Sequence, residues 1–234
     1  MLTLRYEENH LNTANLHLKE SRTSRISALS PAVVSITGLF EPERQRVENF
    51  IKAIYKQSYD ADIQVEYPML MSIRNVDNEI LAAVGFRYAD QEPLFLERYT
   101  GTSMDHILDC SRSEIVEIGN LASAGQGAST FLFAALASYL NNKNIRYAAV
   151  TGTDFLHRYF ERIGLKPRKI CDASIEAVQS EGQNWGSYYD TQPRVLIGSV
   201  ETGVKRLKAK LGAEFEDCRP RLYPRLHYKH SGRK

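Results

Sequence analysis

The chain has 234 residues, of which 43% are hydrophobic and 25% charged, and its formal net charge is +2. That length suits one well-buried domain and is too short for two comfortable ones, and a balance this near neutrality gives no global signal for nucleic acid. Three widely spaced cysteines, Cys110, Cys171 and Cys218, with no CxxC pair, argue against a disulfide framework.

Residues 1–31 are polar with little periodicity and are expected to form an extended or loosely attached arm. They carry no apolar core of a secretory signal, and the longest strongly apolar run, Phe131 to Leu140, is far shorter than the roughly 20 residues that span a bilayer. A cytoplasmic protein is the expectation. Val33 to Ile36 reads as a first strand. Glu41-Pro42-Glu43 then opens a helix, since proline suits a first turn and acids favour the positive end. Its apolar positions Val47, Phe50, Ile51, Ile54 and Tyr55 share one face. Met69 to Arg74 and Ile80 to Phe86 form a hairpin about Asp77-Asn78. The apolar stretch Leu94 to Tyr99 and a short helix from Met104 to Leu108 lead to the centre of the chain.

The centre reads strand, glycine turn, helix, strand, helix. Ile115 to Leu121 is the strand, Ala122 to Gly127 the turn, and Ala128 to Leu140 a helix apolar almost all round and therefore buried. Arg146 to Thr151 is the next strand. Thr153-Asp154 caps a helix in which Phe155, Leu156, Tyr159, Phe160 and Ile163 share a face, and Gly164 stops it. Strand, helix, strand in this order predicts a parallel pair with a right-handed crossover. Arg194 to Val200 is a last strand. From Lys205 onward basic residues dominate, forming either a solvated end or a patch for phosphates or an acidic membrane surface.

Three segments are candidates for chemistry. A strand feeding a glycine turn and a helix offers unsatisfied N–H groups to an anion, so Gly125, Gly127 and Ser129 either line a ligand site or make a tight connection. Glu117 interrupts an apolar strand face that also holds Ile115, Gly119 and Leu121, with Val116, Ile118 and Asn120 pointing the other way. Burial would raise its pKa toward general-base work, or a basic partner would make it structural. Trp185-Gly186-Ser187-Tyr188-Tyr189-Asp190 gathers the single tryptophan, two phenols and an acid. Tyr189 is a candidate proton donor to a leaving thiolate and Asp190 a candidate for orienting substrate; the alternative is an aromatic seal on the core. The six histidines show no metal-ligand spacing, and no metal is expected.

Together Glu117-Ile118-Gly119-Asn120-Leu121-Ala122-Ser123, the strand region 140–153, Phe160-Glu161-Arg162-Ile163-Gly164-Leu165 and Trp185 to Val195 resemble the thermostable hemolysin family, over about Ile36 to Val200. That family is in turn similar to the GNAT acyltransferases, including the autoinducer (acyl-homoserine lactone) synthases. The resemblance implies an α/β (α+β mixed) fold, a GNAT-like central mixed sheet with helices on both faces, occupying residues 32–204 between the polar arm and a basic tail at 205–234. It implies an acyltransferase with no covalently bound cofactor, taking its acyl group from acyl-CoA or an acyl carrier protein and passing it to a small amine or hydroxyl acceptor. Glu117, Tyr189 and Asp190 would be catalytic. Asn120, Leu121, Ala122, Gly125, Gly127, Ala128 and Ser129 would meet the donor, and Trp185, Tyr188 and Arg194 the acceptor. The pattern departs from GNAT enzymes at Ala122, where a Gln or Arg usually opens the phosphate loop, and at Phe160, where a tyrosine often serves as acid. Asn120 also replaces the synthases' arginine. A non-catalytic acyl-thioester or lipid binder and a membrane-active hemolysin are the rival readings.

Overall fold

A computed structural model describes residues 1–178 and 182–218. Its strands are β1 (Leu2–Glu8), β2 (Leu11–Leu18), β3 (Pro31–Thr37), β4 (Met69–Asn75), β5 (Ile80–Tyr88), β6 (Ile115–Ser123), β7 (Tyr147–Gly152), β8 (Arg168–Asp172), β9 (Arg194–Ser199) and β10 (Glu214–Asp217). They form one sheet in the order β10-β2-β1-β3-β4-β5-β6-β7-β9-β8. β1 with β3 and β6 with β7 are parallel; the other neighbours are antiparallel. The helices are α1 (Glu20–Thr23), α2 (Arg44–Tyr59), α3 (Glu97–Thr100), α4 (Met104–Leu108), α5 (Ala128–Asn142), α6 (Asp154–Arg162) and α7 (Val200–Leu211). Apolar residues of α5, α6 and α7 pack on one face of the sheet and those of α2 on the other, giving the mixed, doubly covered sheet that the resemblance implies.

The N-terminal stretch departs from the expected loose arm. It is a hairpin, joined by Asn9 and His10, both left-handed (φ 52° and 62°), the geometry that a two-residue hairpin turn requires. Leu4 and Tyr6 of β1 and Ala14, Leu16 and Leu18 of β2 alternate inward and are buried, and the Tyr6 hydroxyl donates to the Ala135 carbonyl at 2.8 Å. Period-two alternation carried by few apolar residues is a weak signal, and the intervening Asn, Thr, Arg and Glu hide it.

At the other end, the expected basic tail begins as structure too. Leu207 and Leu211 of α7 are buried against α5, while the lysines and Arg206 lie on the outer face, so the same run serves as core and as solvated surface. β10 then pairs with β2. The tail's remaining basic residues, at 219–234, lie outside the described residues.

The start of α2 differs from its expected position. The first turn begins at Arg44, whose buried guanidinium donates to Glu48 Oε1 at 2.6 Å and to the Tyr67 carbonyl at 2.6 Å. This bond ties α2 to the segment entering β4.

One irregularity positions the site. β6 and β7 pair only from Ile115 with Tyr147 to Ile118 with Val150. Beyond that point β6 stays with β5 as far as Ser123, and β7 stays with β9 as far as Gly152. On β6, Asn120 and Leu121 together face the single Val84 of β5, a β-bulge with Asn120 left-handed at φ 49°. A bulge bends its strand and increases local twist. Here it carries β6 away from β7 and opens a gap in the middle of the sheet.

Candidate functional site

A cavity of about 390 Å³ fills this gap. Gly119, Leu121 and Ser123 of β6 form one wall, Val150 to Gly152 of β7 the other, and Tyr55 and Tyr59 of α2 and Tyr159 of α6 close the sides. Its floor is the turn Gly125-Gln126-Gly127, left-handed at all three residues (φ 89°, 53° and 85°), followed by Ser129 in the first turn of α5. Successive turn N–H groups leading into a helix start make a concavity suited to anions or carbonyl oxygens. Gly127 is required twice over. Its φ favours glycine, and a Cβ there would lie 2.9 Å from the Ile26 carbonyl oxygen.

A smaller cavity of about 40 Å³ shares Tyr55, Gly119, Thr151 and Tyr188 with the first, so the two meet through the gap. Glu117 lies behind its wall, fully buried. Oε1 accepts from the Tyr67 hydroxyl at 3.0 Å and from the Leu96 N–H at 3.2 Å; Oε2 accepts from the Phe95 N–H at 2.7 Å, with Arg87 Nε at 3.7 Å. Burial raises the carboxyl pKa to about 7, against the pull of the Arg87 charge and these hydrogen bonds. Glu117 thus has the basic partner of the structural reading and also the raised pKa that burial was expected to give. It is anchored by backbone and Arg87, and it titrates near neutrality.

Tyr67 carries Glu117's influence into the smaller cavity. Its ring lies flat across Gly85 and Gly119, which face each other on β5 and β6. A Cβ on Gly119 would sit 2.0 Å from the Tyr67 hydroxyl, and one on Gly85 would sit 2.6 Å from Tyr67 Cβ. Arg87 stacks on the other side of the ring, its guanidinium carbon 4.6 Å from the centroid. Glycines in strand interiors signal such a close approach, and these two were the available clue to a residue that motif reasoning missed.

The expected site residues divide into three groups. Trp185, Tyr188 and Tyr189 line the smaller cavity, and Tyr188 lines both. The Tyr188 hydroxyl lies 3.4 Å from the Thr151 carbonyl, and the Tyr189 and Tyr99 hydroxyls share a 2.6 Å hydrogen bond. Burial raises the pKa of Tyr67, Tyr188 and Tyr189, so all three stay protonated at neutral pH.

Asn120 and Leu121 also line the site, on faces opposite to those expected, because the bulge reverses the alternation. Asn120 lines the smaller cavity on the Glu117 side, together with Tyr55, whereas Leu121 packs toward α5. Gly125, Gly127 and Ser129 line the larger cavity as expected.

Four residues lie elsewhere. Ala122, past the bulge, packs under α2, and Ala128, the first residue of α5, is buried in the core. Asp190 is exposed on the turn Tyr189–Thr191 and lines neither cavity. Arg194 pairs with Asp154 at 3.2 Å and fastens β9 to the start of α6. On α6, Phe160 packs edge-on against Phe133 at 4.9 Å, while Tyr159 turns to the cleft and shares a 2.5 Å hydrogen bond with Thr130.

Of the eight buried side-chain polar atoms without a hydrogen-bond partner among the described residues, three, Arg87 Nε, Thr151 Oγ1 and Trp185 Nε1, belong to residues that line the smaller cavity, and of these Arg87 Nε still faces the Glu92 and Glu117 carboxylates at 3.7 Å. Polar atoms so placed favour a polar occupant. No group of three or more His, Cys, Asp or Glu side chains is disposed to hold a metal among the described residues.

The family model described as thermostable hemolysin matches residues 39–204. No curated protein sequence matches. The fold is similar to crystal structures of the AHL synthase LasI (TM-score 0.53, 15% identity, 76% of this chain and 94% of that one) and of TofI (0.52, 15%, 75% and 96%). It is also similar to BjaI, a CoA-dependent acyl-homoserine lactone synthase (0.54, 9%, 76% and 89%). At these identities the likeness establishes the fold, a mixed sheet of the GNAT type.

Proposed function

This chain belongs to the thermostable hemolysin family, and we propose that it is an acyltransferase, moving an acyl group from a pantetheine thioester to an amine or hydroxyl acceptor. The observation that carries this reading is the ladder broken after Ile118 and Val150, which leaves strand-edge backbone facing a cavity instead of a neighbouring strand. A pantetheine arm, common to CoA and carrier proteins, has the amides to pair with such an edge. The Gly125-Gln126-Gly127 turn and Ser129 then receive the phosphate end. The acceptor occupies the smaller cavity, where Thr151 Oγ1 and Trp185 Nε1, buried without hydrogen-bond partners, favour a polar molecule.

In the reaction the acceptor nitrogen or oxygen attacks the thioester carbonyl carbon at the junction by Gly119. Its proton passes to the Tyr67 oxygen as the Tyr67 proton passes to Glu117. The C–S bond breaks, and the thiolate takes a proton from Tyr188, the phenol that borders both cavities. Products are the acylated acceptor and a free thiol; Glu117 releases its proton to solvent and Tyr188 takes one up, so the enzyme returns to its starting state. Asp190 and Arg194 have no part in these steps.

The test is acceptor-dependent thiol release from acyl-CoA and acyl-carrier protein across a panel of amines and alcohols, with the acylated product identified by mass. Release that rises with acceptor concentration supports transfer. Tight donor binding without release under any acceptor supports the rival reading, a non-catalytic binder.

A further inference from the structure

A third cavity, of about 240 Å³, lies on the α5 face of the sheet beneath β6, β7 and β9. Leu136, Leu140, Phe160 and Leu207 are among its walls, and Val150 is shared with the donor cleft. Two wall positions are glycines, Gly198 in β9 and Gly203 in α7. Neither adopts the left-handed backbone that would demand glycine. A Cβ on Gly198 would meet nothing within 4 Å, and one on Gly203 would make an ordinary contact, 3.6 Å from Leu165 Cδ2. Glycine inside a strand or a helix weakens that element. Both elements thus give up stability at positions where a side chain would fit, and the result is open apolar space.

Resting on the acyltransferase reading, we infer that this cavity holds the donor's acyl chain, which enters past Val150, and that Gly198 and Gly203 set the chain length it admits. An apolar cavity of about 150 Å³ takes a benzene, so the space here suits a chain of at least hexanoyl length and is wasted on an acetyl group. Each methylene that enters tightens binding by about fourfold until the cavity is full.

Calorimetric titration of the full-length protein with acetyl-, hexanoyl- and decanoyl-pantetheine tests this, because pantetheine is common to both donor types. Hexanoyl should bind on the order of a hundredfold tighter than acetyl. Gly198→Val and Gly203→Leu should abolish any further gain from hexanoyl to decanoyl and leave acetyl binding unchanged. Gly203→Ala, which adds helix propensity with little volume, should raise the melting temperature and keep the hexanoyl gain, which separates filling from misfolding. Equal wild-type affinity for acetyl and decanoyl, or an undiminished decanoyl gain in both filled variants, overturns the assignment. Decanoate binding as tightly as decanoyl-pantetheine also overturns it, by making the occupant a free fatty acid. A chain-length gain without acceptor-dependent thiol release keeps the cavity assignment and removes the transfer reaction. Release with no chain preference does the reverse.

Discussion

Glu117 is a buried carboxylate held by three hydrogen bonds, and the proposed relay gives it chemistry as well. Its two oxygens hold the Phe95 and Leu96 N–H groups and the Tyr67 hydroxyl, so the ionised form is well solvated by protein, yet burial still lifts its pKa to about 7 from an ordinary 4.5. Between those values the folded chain binds more protons at this site than the unfolded chain does. The resulting stabilisation is complete below pH 4.5 and is lost as pH rises to about 7, amounting to on the order of 3 kcal/mol. Melting temperature measured against pH should therefore fall across this window in wild type, and the Glu117→Gln slope should be shallower by that amount. Transfer rate should run the opposite way, rising through about pH 7 as the base ionises; a flat rate profile would take the proton relay away from Glu117. Gly119 gives a second prediction at this scale. Gly119→Ala drives the Tyr67 hydroxyl off its position, and forcing atoms into a packed site costs roughly 1–3 kcal/mol. Denaturant titration should find that loss, and transfer rate should drop at least about tenfold.

At the level of elements the decisive feature is the bulge in β6. Asparagine tolerates the left-handed backbone at residue 120, and a β-branched residue does not. Asn120→Val should cost roughly 1–2 kcal/mol and weaken binding of acyl-pantetheine by restoring regular pairing, whereas Asn120→Gly should keep both stability and binding. Thermal melts with and without the thioester distinguish the two variants. The sequence pattern correctly places the start of β6, α5, β7 and α6 and the stop at Gly164, because each has a strong local cause: β-branched runs, all-round apolarity, or a capping threonine whose hydroxyl accepts from the Leu156 N–H. The turn is shorter than the expected Ala122 to Gly127, since Ala122 and Ser123 still pair with β5. The pattern misassigns the faces of Asn120 and Leu121 because strict alternation assumes an unbroken ladder, and the extra residue is defined only by what β5 presents opposite.

For the whole molecule, the N-terminal hairpin is part of the core. Leu4, Tyr6, Leu16 and Leu18 are wholly buried, and β1 bridges the hairpin to β3. Deleting the hairpin removes several fully buried side chains, each contributing roughly 1.5–3 kcal/mol. The truncated chain should lose its cooperative melt, and a truncation that melts normally would make the hairpin an appendage after all. Among the described residues no helix is long and apolar enough to cross a membrane. Local sequence was sufficient for the order of the central elements and the paired glycines of the turn, since propensity, periodicity and capping act over a few neighbouring residues; the class of fold came from the family resemblance. It was also sufficient to mark Glu117 and the Trp185 to Tyr189 segment as unusual. Only the folded chain decided that Tyr67 stands between Glu117 and the cavity, that Asp190 and Arg194 lie apart from it, and that Gly198 and Gly203 share one apolar chamber. Those relations join residues far apart in the chain, and distance in space is set by how strands and helices pack, which no short window of sequence contains.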